Sequence, residues 1–171
     1  MFRKIRRKEK QLTTDDCQEI LKAAEYGTIA TMGEDGYPYA VPVNFIYHNG
    51  SIYFHCAKEG HKLENIQYCP NVSFNVVKDV FVVPKLSESK FKGFDTNFNS
   101  VTVFGRAVKV FGDEKVEGLR ILLKKFLSAE DYQKHRKEGK IYIEKSLNRT
   151  KLIKIEIKHM TGKTGIKKNK K

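Results

Sequence analysis

The sequence predicts a mainly β domain of the α+β class: a small antiparallel barrel of about six strands with helices at its ends. Three observations carry that prediction. Segments rich in β-branched and aromatic residues follow one another with turn-sized gaps. Two of those gaps hold Asp35-Gly36 and Asn49-Gly50, dipeptides that favour tight hairpins because both central positions of a type I′ turn need positive φ. The strand–helix–strand alternation of a doubly wound parallel sheet is missing.

The elements follow in order. TTDDCQEILKAAEYG, residues 13–27, reads as a helix with Thr13 or Thr14 as N-cap, acids in its first turn, Ile20, Leu21 and Ala24 on one side, and Gly27 as its stop. TIATM (28–32), YPYAVPVNFIY (37–47) and SIYFHCA (51–57) read as strands of an antiparallel meander. Pro38 and Pro42 lack a ladder donor, so the middle strand must border an opening or a bulge. GHKLENIQYCPN (60–71) is a short helix with Leu63 and Ile66 inward, and NVSFNVV (71–77) returns to strand. Residues 84–99 form the one long irregular stretch. SVTVFGRAVKVFG (100–112) alternates as a long strand, where Gly105 marks a bend or a close approach by another group. A helix runs from Asp113 to about Leu127 with Leu119, Leu122, Leu123 and Phe126 as its apolar stripe, and Ser128 caps a second, more charged helix. TKLIKIEIKHM (150–160) sets Ile153, Ile155 and Ile157 on one face of a half-exposed strand.

A chain of 171 residues with 40% hydrophobic residues suits one domain with one core, spanning 1–171. Its formal charge of +13 is concentrated at the ends. Residues 1–10 and 162–171 carry +5 each, leaving +3 for the 151 residues between them. These basic ends read as flexible and solvated, and nucleic acid is not expected as a partner. Cys17, Cys56 and Cys69 are odd in number without a CxxC pair, the N-terminal segment lacks the apolar run of a signal peptide, and no stretch approaches the length of a membrane span. The expected compartment is a reducing cytoplasm, with no membrane contact.

Residues 51–66, SIYFHCAKEGHKLENI, hold the densest chemistry. His55, Cys56 and His61 are competent zinc ligands, but adjacent strand residues point to opposite faces, and neither His48 nor Cys69 completes a standard set. No metal is expected. The same alternation separates Cys56 from His55 as a nucleophile–base pair, and the plain reading of Cys56 is a small buried hydrophobe beside Ile52 and Phe54. A third reading is anion binding: Lys58, Gly60, His61 and Lys62 combine a helix start with cationic side chains. The GKT at 162–164 is no phosphate loop, because the earlier glycine is missing and no helix-forming sequence follows.

The run from YGTIATMGEDGYPYAVPVNFIYHNG through SIYFHCAKEGHKLENI, followed by SVTVFGRAVKV (100–110) and IKIEIKHMTGK (153–163), resembles the flavin-binding split barrel of the pyridoxamine 5′-phosphate oxidase-like superfamily. Within it, the nitroimidazole-resistance (Nim-type) proteins are the nearer likeness. The resemblance implies a six-stranded antiparallel split β-barrel with flanking helices, and a homodimer holding FMN at the subunit interface. It implies that Pro42, Val43 and Asn44 lie along the isoalloxazine, His55 and Cys56 beside the ribityl chain and ring, and Lys58, His61 and Lys62 at the phosphate, with Ser100 as a further contact. Many oxidase relatives carry Arg-Lys at the helix start where this chain has His61-Lys62, which implies weaker, pH-dependent phosphate binding. The implied activity is FMN-dependent reduction of a nitro group on a small-molecule substrate, with His55 as the catalytic residue. The alternative is a non-catalytic flavin- or haem-binding module.

Overall fold

The computed structural model describes residues 2–87 and 89–166. The chain builds β1 (Tyr26–Met32), β2 (Pro38–Asn44), β3 (Ile46–His48), β4 (Ser51–Ala57), β5 (Asn71–Ser87), β6 (Lys90–Val110) and β7 (Thr150–Thr164). Its helices are α1 (Thr14–Ala23), α2 (His61–Tyr68), α3 (Gly112–Phe126), α4 (Ala129–Lys134) and α5 (Arg136–Leu147), with a short 3-10 turn at Lys8–Lys10. All strands pair antiparallel in one sheet of order β2-β1-β5-β6-β7-β4-β3. The predicted class therefore holds, with seven strands instead of six. The sheet is not closed by hydrogen bonds, yet it curls until β2 comes against β4. Among the described residues, no helix is long and apolar enough to cross a membrane.

The seventh strand arises because the run at 37–47 breaks at Phe45, whose two halves join opposite edges of the sheet. The predicted meander is thus two separate hairpins. Asn49 and Gly50 both take positive φ and join His48 to Ser51 as a two-residue turn. At Asp35-Gly36 only the glycine does so, and the Gly36 amide donates to the Gly33 carbonyl within a five-residue loop between Met32 and Pro38. The prolines of β2 thus lie on an edge strand, the place in a sheet where the missing donor is tolerated.

Two layers of core result. Ile29, Phe45, Ile52, Phe54, Phe74, Val101, Val103, Ile153 and Ile155 fill the barrel, and α1 contributes Cys17 and Leu21. On the outer side of β3, β4 and β7, a second cluster joins Tyr53 and Leu152 to Leu119, Leu122 and Ile143 of α3 and α5. Strand β4 is therefore buried on both faces near its start. Thr13 caps α1 by accepting from the Asp16 amide, while Asp16 accepts from the Thr13 amide. The helix stops at Ala23, earlier than expected. Gly27 belongs to β1, where a Cβ would meet the Phe74 ring at 2.4 Å.

Residues 84–99 are not irregular: β5 and β6 run on as a two-stranded ribbon to the Ser87↔Lys90 pair. Both faces of the ribbon are open, with Phe81 51%, Leu86 72%, Phe91 68% and Phe94 64% exposed. At the other end, Gly162–Thr164, expected in a basic tail, belong to β7, and Gln11 bridges to Lys163. Residues 167–171 of that expected tail lie outside the described residues, and the 1–10 segment lays Phe2 over His159 at 4.7 Å between ring centroids.

Gly105 sits at a register shift between β6 and β7, where a Cβ would stand 2.5 Å from the Glu156 carbonyl oxygen and 2.7 Å from Ile155 Cγ2. The close approach read from the sequence is thus to backbone that cannot swing aside. Gly105→Ala is expected to destabilise by about 1–3 kcal/mol, the usual cost of overpacking, as read by urea unfolding. An unchanged midpoint would mean that the two strands part freely there.

Candidate functional site

Two local devices bring α2 to β2. Buried Asn65 of α2 donates from Nδ2 to Thr31 Oγ1 at 3.1 Å, and that hydroxyl donates to the Tyr39 carbonyl at 3.3 Å. This relay ties α2 to the β1–β2 hairpin and satisfies a polar side chain that would otherwise be costly inside. One turn earlier, the His61 ring packs on Tyr39 with centroids 4.2 Å apart. Gly60, at φ 125°, is the N-cap of α2 and supplies no side-chain acceptor, so the first amides face outward beside Lys58 and Lys62. That is the local chemistry of an anion site.

Strand alternation divides His55 from Cys56 as expected. Cys56 packs against the barrel core. His55 faces the helical layer and lines a cleft of about 330 Å³ with Asn44, Leu119, Leu122, Phe126 and Tyr142. Asn44 is steered there by donating from Nδ2 to the Glu25 carbonyl at 3.4 Å. Although His55 is exposed as a residue, the packed walls around its ring desolvate it, and this lowers its pKa from 6.5, with the Lys62 cation acting in the same direction. The imidazole is then neutral at pH 7. Burial raises the Cys56 thiol, and Lys62 and Lys151 only partly oppose that, so it is no activated nucleophile. Among the described residues, no group of three His, Cys, Asp or Glu side chains gathers as a metal centre would need.

The corner carrying Asn44 is held from α3. Lys125 Nζ donates to the carbonyls of Phe45, at 2.9 Å, and Ala24, and sits 4.5 Å from the Phe45 ring centroid. Burial pushes its pKa down to about 8, against the pull of Glu25. Nothing in the sequence singles out this lysine, since its partners are backbone groups 80 and 101 residues away.

Of the residues named from sequence, Pro42, Val43 and Asn44 line the free edge of β2, His55 and Cys56 end β4, and Lys58, His61 and Lys62 surround the start of α2. The approach of β2 to β4 and the Tyr39–His61 contact gather these three groups. Ser100 stands apart. It lies within β6, not at its start, opposite Lys163, whereas His55 is opposite Leu152; the two are roughly 35 Å apart along β7. The sequence reading missed Tyr39 and the roof of the cleft. Leu119, Leu122 and Phe126 were visible only as a helical apolar stripe, whose meeting with His55 depends on the tertiary fold.

The protein family described as pyridoxamine 5′-phosphate oxidase matches residues 13–164. No curated protein sequence matches the chain. Among solved structures, a candidate 5-nitroimidazole antibiotic resistance protein from Bacteroides thetaiotaomicron is similar with TM-score 0.70 and 22% identity, covering 90% of this chain and 86% of that one. The flavocytochrome Anf3 from Azotobacter vinelandii is similar with TM-score 0.73 and 20% identity over 94% of this chain and 72% of that one. An FAD and heme binding protein from Mycobacterium smegmatis gives 0.70 and 21% over 91% and 73%.

Proposed function

The chain belongs to the pyridoxamine 5′-phosphate oxidase family, and from that premise we propose that it binds a flavin, FMN, and reduces nitro compounds or related small molecules. The observation that carries this reading is the junction of three features: the free edge of β2, the His55–Asn44 cleft, and the uncapped, lysine-flanked start of α2. The residues fit the cofactor. Lys58 and Lys62 with the α2 amides would hold the phosphate, and the apolar walls with the β2 backbone would hold the ring. Once bound, the flavin supplies the electrons. Asn44 and neutral His55 would orient a substrate by hydrogen bonds, and Leu122, Phe126 and Tyr142 would keep water from it. Similarity to the nitroimidazole-resistance fold supports the substrate class.

The reading includes a homodimer. The ribbon leaves Phe81 exposed on one face and Phe94 on the other, with Leu86 and Phe91 exposed towards its tip, apolar surface of the kind that partners cover. Ser100, far from His55 within a chain, would reach a cofactor only at a second copy's site.

Protein as purified is expected to show flavin absorbance, with FMN identified by mass after release. Lys62→Ala is expected to weaken FMN by about 1–3 kcal/mol, or about 5- to 150-fold, in a fluorescence titration; unchanged affinity would move the phosphate elsewhere. His55→Ala is expected to keep FMN far better than it keeps anaerobic turnover with a nitroaromatic. Equal loss of both would reduce His55 to a packing residue. A reduced flavin that no acceptor re-oxidises would leave the non-catalytic flavin- or haem-binding module standing.

A further inference from the structure

Helices α3, α4 and α5 fold against one another, and they do not fill the space they enclose. A cavity of about 460 Å³ remains between them. Its floor is aliphatic, with Leu123, Leu127, Ile143 and Leu147, and of these four only Ile143 is buried. Gly139 lets the helices come close, since a Cβ there would stand 3.0 Å from Leu123 Cδ2.

The rim is cationic. Arg136 and Lys140 lie one turn apart on α5 and both line the cavity, and among the described residues neither makes an ion pair. Arg120 faces them from α3 but is neutralised by Glu117, through contacts of 2.8 and 2.5 Å. His135 adds a further basic group, and Glu144 is the one acid in the lining. The mouth therefore keeps a net positive charge beside a hydrocarbon surface. Tyr132 and His135 are the two rings of the lining, and the walls from α3 and α5 offer a flat ligand none.

We propose that this lobe is a second ligand site, for an organic anion with an aliphatic body of the fatty-acid carboxylate class. The hydrocarbon lies on Leu127 and Leu147, and the carboxylate meets Arg136 and Lys140. Leu123 and Ile143 also wall the His55 cleft from the other side, so the occupant bears on the back of that cleft without entering it. The site does not depend on the flavin reading.

Calorimetric titration of the full chain with monomeric dodecanoate, with and without saturating FMN, tests it. The expected result is one site per chain that FMN does not displace, with dodecanol about tenfold weaker or worse and acetate not binding. In the double variant Arg136→Gln/Lys140→Gln, both positions being exposed, dodecanoate affinity is expected to drop about tenfold or more while dodecanol is unchanged. Equal affinities for dodecanol and dodecanoate would overturn the proposal, as would unchanged dodecanoate binding in a variant with wild-type circular dichroism. Displacement by FMN would also overturn it, by moving the binding to the His55 cleft.

Discussion

Phe45→Ala is expected to cost about 3–5 kcal/mol of folding stability, the range for removing a buried aromatic side chain from a core. Phe45 is fully buried where the chain passes from β2 to β3, and its ring meets Phe74 edge-on at 4.9 Å. Truncation leaves a cavity at the point where opposite edges of the open sheet come together. It also removes the face over which the Lys125 ammonium sits. With a urea m-value of about 2 kcal/mol/M, the midpoint should fall by roughly 2 M. A fall below about 0.5 M would mean that neighbouring side chains collapse into the space. Asn44 is the adjacent residue, so whatever remains folded should also bind FMN less tightly.

The same corner explains what could be read from sequence. Strand β4 was legible to the residue and the start of α2 to within one, because SIYFHCA carries β propensity throughout and Gly60 opens the helix, whereas the expected stretch 60–71 overran the helix end at Tyr68. The opposed directions of His55 and Cys56 follow from strand geometry alone. The ribbon at 84–99 was not legible. It is exposed on both faces, so no period-2 burial marks it, and Pro84, Gly93 and the serines read as loop. Its regularity comes from cross-strand pairs such as Val82↔Thr96, which a linear sequence does not reveal. Helix α5 was likewise obscure, having Ile143 as its one buried residue. The cleft was half legible: Asn44 and His55 were identifiable, but its roof comes from helices packed there by tertiary contacts.

Lys125→Met tests whether one side chain from the helical lobe holds that corner in place. Methionine keeps the length and the apolar stem but leaves the carbonyls of Ala24 and Phe45 without their donor, which is expected to cost about 2–4 kcal/mol. The pH dependence separates this role from simple packing. In the unfolded chain the amine holds its proton up to about 10.5, whereas in the folded protein burial lowers its pKa to about 8. Between those values the unfolded state binds more protons than the folded one, so this group's contribution to stability rises with pH. Below pH 8 both states are protonated and its contribution is flat. The stability gap between wild type and Lys125→Met should therefore be constant from pH 6 to about 8 and widen towards pH 10, as read by parallel urea titrations. A gap that stays flat to pH 10 and narrows only above about 10.5 would mean that the two carbonyls and the Phe45 ring hold the proton more firmly than burial expels it. Lys125 would then stabilise the corner as a permanent cation.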